Sequence, residues 1–144
     1  MADLKVNVSK IINAPIEKVF NAWLNTDTLS QFMLPMPGMP NPKTESDPRV
    51  GGSFSIYMQV GEKEIPHTGK YIEIEHPTKL VFTWISPFSI DGSIVTLHLK
   101  SIDENATSIE LTHVKFPDEE SRSNHEGGWR NILEMLDAIL DSAS

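Results

Sequence analysis

One stripe of apolar residues at helical spacing near the end of the chain constrains the fold more than any other feature. The stripe recurs every three or four residues, while Arg130, Glu134 and Asp137 lie on the opposite face. We predict a helix from about Asn124 to Asp141, roughly 27 Å long and able to cross five or six strands. The acidic run 118–120 would also suit a start one turn earlier. The apolar face comprises His125, Trp129, Ile132, Leu133, Leu136, Ile139 and Leu140.

Residues 53–114 alternate between apolar and polar side chains, the period typical of strands with one buried face. In one of these runs Ile72 and Ile74 alternate with polar residues and Tyr71, and Gly69 marks a bend or a close approach. Short connections join antiparallel neighbours, so we predict a meander of about five antiparallel strands. Turn residues separate the runs at 61–63, 76–77, 91–92 and 103–105.

One strand and two short helices precede this meander. The alternation of Leu4, Val6 and Val8 with polar residues predicts the strand. Pro15 suits the start of an amphipathic helix, and Asn25 can end it. Residues 27–33 predict a second short helix. The apolar positions of the first helix are Ile16, Val19, Phe20, Trp23 and Leu24.

Residues 35–48 hold five of the ten prolines, and Met33, Met36 and Met39 place half of the methionines within seven residues. Proline supplies no N–H and fixes its own backbone torsion, so we predict a long irregular loop here. Thioethers adapt to varied shapes, so these methionines either cover an apolar cavity or fill gaps above the core.

These elements predict an α+β fold in which a curved antiparallel sheet of about six strands holds the long C-terminal helix. We expect residues 1–144 to form a single domain, because 144 residues with 39% hydrophobic content can bury a sizeable core. A bent sheet cannot lie flush against a straight helix. The space between them is either filled by large side chains or left as a pocket.

Composition and the missing motifs exclude several functional classes. A net charge of −8 argues against nucleic-acid binding, and the absence of cysteine excludes thiolate metal sites and cysteine nucleophiles. The five histidines have no metal-ligand spacing, and no cofactor motif occurs, so we expect neither a metal nor a cofactor. Residues 1–12 lack the pattern of a secretion signal, and no apolar run is long enough to span a membrane. These observations favour a cytoplasmic protein, with monomer and homodimer both open.

Four motifs in register resemble a known family. The pattern is similar to the AHSA domain, the C-terminal domain of the activator of the heat-shock-protein-90 ATPase, within the START-like (SRPBCC) superfamily that includes the birch-pollen-allergen fold. The resemblance covers nearly the whole chain. The motifs are Ile12-x-Ala14-Pro15-x-x-x-Val19-Phe20-x-Ala22-Trp23, Gly51-Gly52-Ser53-Phe54, Leu80-Val81-Phe82-Thr83-Trp84 and His125-x-x-Gly128-Trp129-x-x-x-Leu133.

The resemblance implies a helix-grip fold with a hydrophobic cavity between the sheet and the long helix. Relatives bind lipids, hormones or polyketide-like molecules, and a few are cyclases or hydrolases. Small-molecule sites are concave and mostly apolar, so we expect large side chains to line the cavity. The predicted ligand-binding residues are Trp23, Phe32, Met33, Met36, Phe54, Ile56, Met58, Phe82, Trp84, Leu97, Leu111, His113, His125, Trp129 and Leu133.

Two histidines are the candidate polar groups of such a cavity. His113 shares a strand face with Ile109 and Leu111, and His125 precedes Trp129 by one helical turn. A short connection between strand and helix would bring both rings to one end of the pocket. Either could transfer a proton near neutral pH, and either could be a hydrogen-bonded structural residue.

Three functions remain open. The leading hypothesis is a non-enzymatic module that binds a small apolar or aromatic molecule. The second is a protein-interaction domain whose partner is a chaperone. The third is a cyclase or hydrolase that uses His113 or His125 as an acid–base.

Overall fold

The computed structural model describes residues 4–33, 40–60, 62–86 and 92–141. The described residues form seven strands and three helices. In chain order these are β1 (Lys5–Ile12), α1 (Ile16–Ala22), α2 (Thr26–Phe32), β2 (Lys43–Ser46), β3 (Ser53–Val60), β4 (Lys63–Glu75), β5 (Lys79–Thr83), β6 (Ile94–Asp103), β7 (Ala106–Val114) and α3 (Glu119–Leu140).

All seven strands join one sheet in the order β1-β7-β6-β5-β4-β3-β2, and every neighbouring pair is antiparallel. Strands β2 to β7 follow chain order across the sheet, and β1 pairs with the last strand. This confirms the α+β prediction of an antiparallel meander between an N-terminal helix pair and a long C-terminal helix. It leaves β1 and β2 as the two edges.

The C-terminal helix begins one turn before the predicted Asn124. The Asp118 side chain accepts a hydrogen bond from the backbone N–H of Ser121 at 2.8 Å, which caps the first turn of α3. Glu119 and Glu120 follow in that turn, where the helix dipole favours negative charge. With 22 residues the helix is about 33 Å long.

The prediction that Asn25 ends the first helix was wrong. Trp23 is the C-cap of α1, and the Asn25 side chain accepts from the backbone N–H of Thr28 at 3.0 Å. Asn25 is therefore the N-cap of α2. An asparagine between two short helices can cap the end of the first or the start of the second. The geometry of the connection selects the N-cap.

The structure has one strand more than predicted, because residues 43–46 within the proline-rich segment form β2. Proline composition over 35–48 concealed a proline-free run of five residues, between Pro42 and Pro48. An edge strand needs partners on one side only, and β2 pairs with β3 alone. Thr44 Oγ1 also donates to the carbonyl of Thr26 at 2.6 Å, which ties the strand to α2.

Strand β4 turns a different face to the core than its apolar pattern predicts. Tyr71 is 2% exposed, whereas Ile72 is 47% exposed. The pairing of β4 with β5 shifts register between Tyr71 and Glu73, and such a bulge exchanges the two faces of a strand. Before the bulge Gly69 faces inward, and a Cβ there would overlap the carbonyl oxygen of Thr83 and lie 2.7 Å from the Phe54 ring. The predicted close approach at Gly69 is confirmed.

The core lies between the sheet and the three helices, which cover the same face. The backbone of α3 lies close to β1 and α2 and stands further from β3, β4 and β5. This arrangement is the helix-grip architecture. The wider separation over the middle strands is where large side chains must fill the space or leave it open.

Candidate functional site

A groove runs between the helices and strands β3 to β5, and its two halves are packed differently. At one end the void measures only about 10 Å³. At the other end a cavity of about 150 Å³ remains. We call the first the filled half, lined by Trp23, Leu29, Met33, Phe54, Ile56, Tyr71 and Phe82. We call the second the open half, lined by Met58, His67, Trp84, Asn124, His125, Gly128, Trp129 and Ile132.

Five residues of α3 line the open half, and they occur at helical spacing from Asn124 to Ile132. Gly128 lies in the middle of this stripe and contributes no side chain. The neighbouring Gly127 is exposed, and a Cβ there would have nothing within 4 Å. Of these adjacent glycines, only Gly128 lines the cavity.

His113 is fully buried, and hydrogen bonds engage both of its ring nitrogens. The Trp129 indole N–H donates to Nδ1 at 3.0 Å, so the neutral ring carries its proton on Nε2 and donates it to Ser93 Oγ at 2.7 Å. Burial lowers the pKa of His113 to about 3, and the nearby His125 acts in the same direction. At neutral pH this ring is uncharged and holds Trp129 in place.

His125 lies against His113, as the sequence predicts, with ring centroids 5.3 Å apart. Its Nδ1 lies 2.8 Å from the carbonyl oxygen of Ser121 and donates to it. The ring also contacts Phe116, with centroids 5.1 Å apart. Unlike His113, His125 lines the open half.

His67, which the sequence reasoning did not select, also lines the open half. Its ring centroid lies 5.2 Å from that of Trp84, and its Nδ1 lies 3.2 Å from the carbonyl oxygen of Ile65. Burial lowers the pKa of His67 to about 4, aided by the nearby His125 and opposed by backbone carbonyls. The alternation of the strand could have identified His67, because residues 67, 69 and 71 lie on the same face of β4.

The other predicted ligand-binding residues divide among several positions. The open half contains Met58, Trp84, His125 and Trp129. The filled half contains Trp23, Met33, Phe54, Ile56 and Phe82. Buried in the core, outside both described linings, are Phe32, Leu97, Leu111, His113 and Leu133. Met36 and Met39 lie outside the described residues. The prediction missed His67, Asn124, Gly128 and Ile132 in the open half and Leu29 and Tyr71 in the filled half.

The open half carries polar groups without charged ones. Its eight lining residues include no lysine, arginine, aspartate or glutamate. Among the residues that the structure describes, no group of three or more histidines and acids is placed to bind a metal. No helix in the described part of the chain is long and apolar enough to cross a membrane.

A sheet that grips a long helix over a partly open groove defines a helix-grip protein. The family model described as "Activator of Hsp90 ATPase homolog 1-like protein" matches residues 13–141. The chain therefore belongs to this family, as its motifs predict. A search among curated proteins finds no match.

Solved structures of the same fold cover nearly the whole chain. Protein CV1439 from Chromobacterium violaceum is 22% identical, with 96% of this chain and 97% of that chain covered and a TM-score of 0.80. PFC0360w, an HSP90 activator from Plasmodium falciparum, is 27% identical, with 95% and 96% covered and a TM-score of 0.76. An AHSA1-like protein from Aeromonas hydrophila is 23% identical, with 96% and 93% covered and a TM-score of 0.79.

Proposed function

We propose that this protein is a non-enzymatic module that binds one small apolar or aromatic molecule in the open half. The observation that supports this most is the cavity of about 150 Å³ between two indole rings and two imidazole rings. Drug-sized ligands need about 300 Å³ or more, whereas an apolar cavity of about 150 Å³ accommodates benzene. The cavity therefore suits a molecule with one ring.

The state of His113 favours binding over catalysis. A general acid or base must reach the substrate with a free ring nitrogen. Both nitrogens of His113 are occupied, by Ser93 and by Trp129, and the ring has no exposed surface. Its position supports a structural role, in which it orients a wall of the cavity.

Two adjacent glycines offer a matched test with toluene as the probe. Gly128→Leu places a side chain at the cavity, whereas Gly127→Leu places the same side chain in open space. We expect toluene to change the tryptophan fluorescence of the wild type and of Gly127→Leu, and Gly128→Leu to lose that response. Ile132→Phe, which enlarges another lining residue, should reproduce the loss if Gly128→Leu fails to fold. A wild type that does not bind toluene up to its solubility limit would contradict the proposal.

A second candidate function is regulation of a chaperone ATPase. It is supported by the family description and by the 27% identity to the Plasmodium HSP90 activator. Adding the chain to an Hsp90-type chaperone should raise its ATPase rate, and Gly128→Leu should leave that effect intact if an outer surface is used. An unchanged ATPase rate, together with no capture by the chaperone, would exclude this role. For either role, a single domain acting in the cytoplasm remains part of the proposal.

A further inference from the structure

We propose that the open half selects a neutral, one-ring aromatic molecule that donates a hydrogen bond, such as a phenol, and that His125 Nε2 accepts this bond. The inference rests on the proposed binding function and specifies the chemical class of its ligand. Three features of the cavity lead to it, namely the chemistry of its walls, the state of its N–H donors and the position of a free acceptor on the long helix.

The walls exclude an ionic ligand. A charge taken out of water without a partner is strongly unfavourable, and the lining residues include no lysine, arginine, aspartate or glutamate. Two arginines lie near the cavity residues of α3 in sequence. Arg130, next to Trp129, is exposed on the opposite face of the helix, and Arg122, two residues before Asn124, is already engaged by acids. The Arg122 guanidinium lies 2.8 Å from Glu119 and 3.2 Å from Glu126. His67 adds no charge at neutral pH, because burial lowers its pKa to about 4.

The ring N–H groups of the cavity are unavailable to a ligand that only accepts hydrogen bonds. The Trp129 N–H is donated to His113 at 3.0 Å. The Trp84 Nε1 atom is covered by neighbouring atoms, although it has no hydrogen-bond partner among the described residues. Asn124 is exposed at the rim, where water competes for its amide. A carbonyl or ether group on the ligand would therefore find no dry donor from these rings.

The His125 ring offers an acceptor at the cavity wall. In the tautomer whose Nδ1–H is donated to the Ser121 carbonyl at 2.8 Å, His125 Nε2 keeps its lone pair. No described residue forms a hydrogen bond to that nitrogen. The contacts of the ring with His113 and Phe116 hold its orientation. A half-buried acceptor at an apolar wall favours a ligand that carries a hydroxyl, because a ligand without one leaves the acceptor unpaired.

The test compares phenol with toluene at pH 8, where phenol is neutral because a phenolic group titrates near about 10. The two molecules share ring and size, so the ratio of their dissociation constants isolates the hydroxyl. We expect His125→Phe to weaken phenol binding about tenfold and to leave toluene binding almost unchanged. His125→Gln, which retains an acceptor, should restore part of the phenol affinity. His98→Phe, at an exposed position on β6, is the matched control.

The possible outcomes separate this inference from the proposed function. If toluene and phenol both bind and His125→Phe changes them equally, the donor selectivity is wrong and the binding function stands. If phenol loses affinity while toluene does not, both are supported. If neither molecule binds the wild type, both are overturned. Toluene binding by each variant shows that the cavity has formed, so a folding defect cannot be mistaken for lost selectivity.

Discussion

The two halves of the groove lie against the same sheet and are both lined by aromatic and aliphatic side chains, yet one encloses about 10 Å³ and the other about 150 Å³. In the filled half, aromatic rings meet edge to face. Phe54 and Phe82 have centroids 5.3 Å apart, and Trp23 lies against the core residue Phe32 with centroids 5.0 Å apart. The first contact joins β3 to β5, and the second joins the end of α1 to α2.

In the open half, hydrogen bonds as well as ring contacts hold the rings, and Trp84 and Trp129 have centroids 4.9 Å apart. His113 fixes Trp129, and the Ser121 carbonyl fixes His125. Gly128 provides no side chain to fill the remaining space. The comparison indicates that a position without a side chain, beside rings whose orientation is partly fixed by hydrogen bonds, is where the groove stays open.

The largest expected effect comes from truncating one ring in the filled half. Phe54→Ala should lower the free energy of unfolding by about 4 kcal/mol, because a packed core site cannot collapse around the lost ring. Met58→Ala, on the same face of β3 but in the open half, should cost about 2 kcal/mol, since its surroundings are already loosely packed. Urea unfolding of both variants measures the difference. Equal costs would show that the two halves are packed alike.

The next effect is the loss of stability in acid that His113, which orients Trp129 at the open half, should cause. The unfolded chain protonates His113 below about pH 6.5, whereas the folded protein keeps it neutral to about pH 3. The unfolded state therefore binds more protons as the pH falls, and stability is lost. We expect a loss on the order of 3 kcal/mol from this residue between pH 7 and pH 4.

Urea unfolding at the two pH values measures that loss. His113→Gln should flatten the pH dependence, whereas the exposed His98→Gln should not. A pH dependence unchanged by His113→Gln would mean that other groups control acid unfolding.

A smaller effect tests how completely the filled half is packed. Gly69→Ala should destabilise the protein by about 2 kcal/mol, because its Cβ meets the Thr83 carbonyl and the Phe54 ring. Gly127→Ala, in open space on α3, should instead stabilise the protein by up to about 1 kcal/mol through helix propensity. Thermal unfolding gives both signs. A neutral Gly69→Ala would show that the backbone there can move.

The smallest effect concerns the first turn of the helix over the open half. Asp118→Ala removes the hydrogen bond to the Ser121 N–H and should cost about 1 kcal/mol. We expect faster amide exchange in the first turns of α3, which lead to His125, and unchanged exchange in β3. Exchange that rises equally in both regions would indicate global rather than local opening.

Elements with a long, regular pattern were predictable. The alternation in residues 94–114 and the stripe from Trp129 to Leu140 depend on local periodicity, and both have the predicted form. The predictions that failed concern segments where a local sequence rule allowed more than one structure. Proline content concealed β2, Asn25 suited two cap positions, and the bulge after Tyr71 exchanged the faces of β4.

The candidate site was only partly predictable. The sequence placed His113 and His125 together, because one strand and the following helix are joined by a short connection. It left open whether His113 would transfer a proton or be a hydrogen-bonded structural residue, and it did not indicate that His67 would line the cavity. Those outcomes depend on Ser93 and Trp84, which lie beside the ends of β6 and β5.

The order of the elements, the antiparallel sheet and the amphipathic final helix follow from the amino-acid pattern alone, because each depends on neighbours within a few residues. The division of the groove into a filled and an open half was decided only by the tertiary structure. The cavity volume is a small difference between two large volumes, that of the space between the helices and the sheet and that of the side chains that enter it. Contacts between distant residues, such as Phe54 with Phe82 and His113 with Trp129, determine that difference.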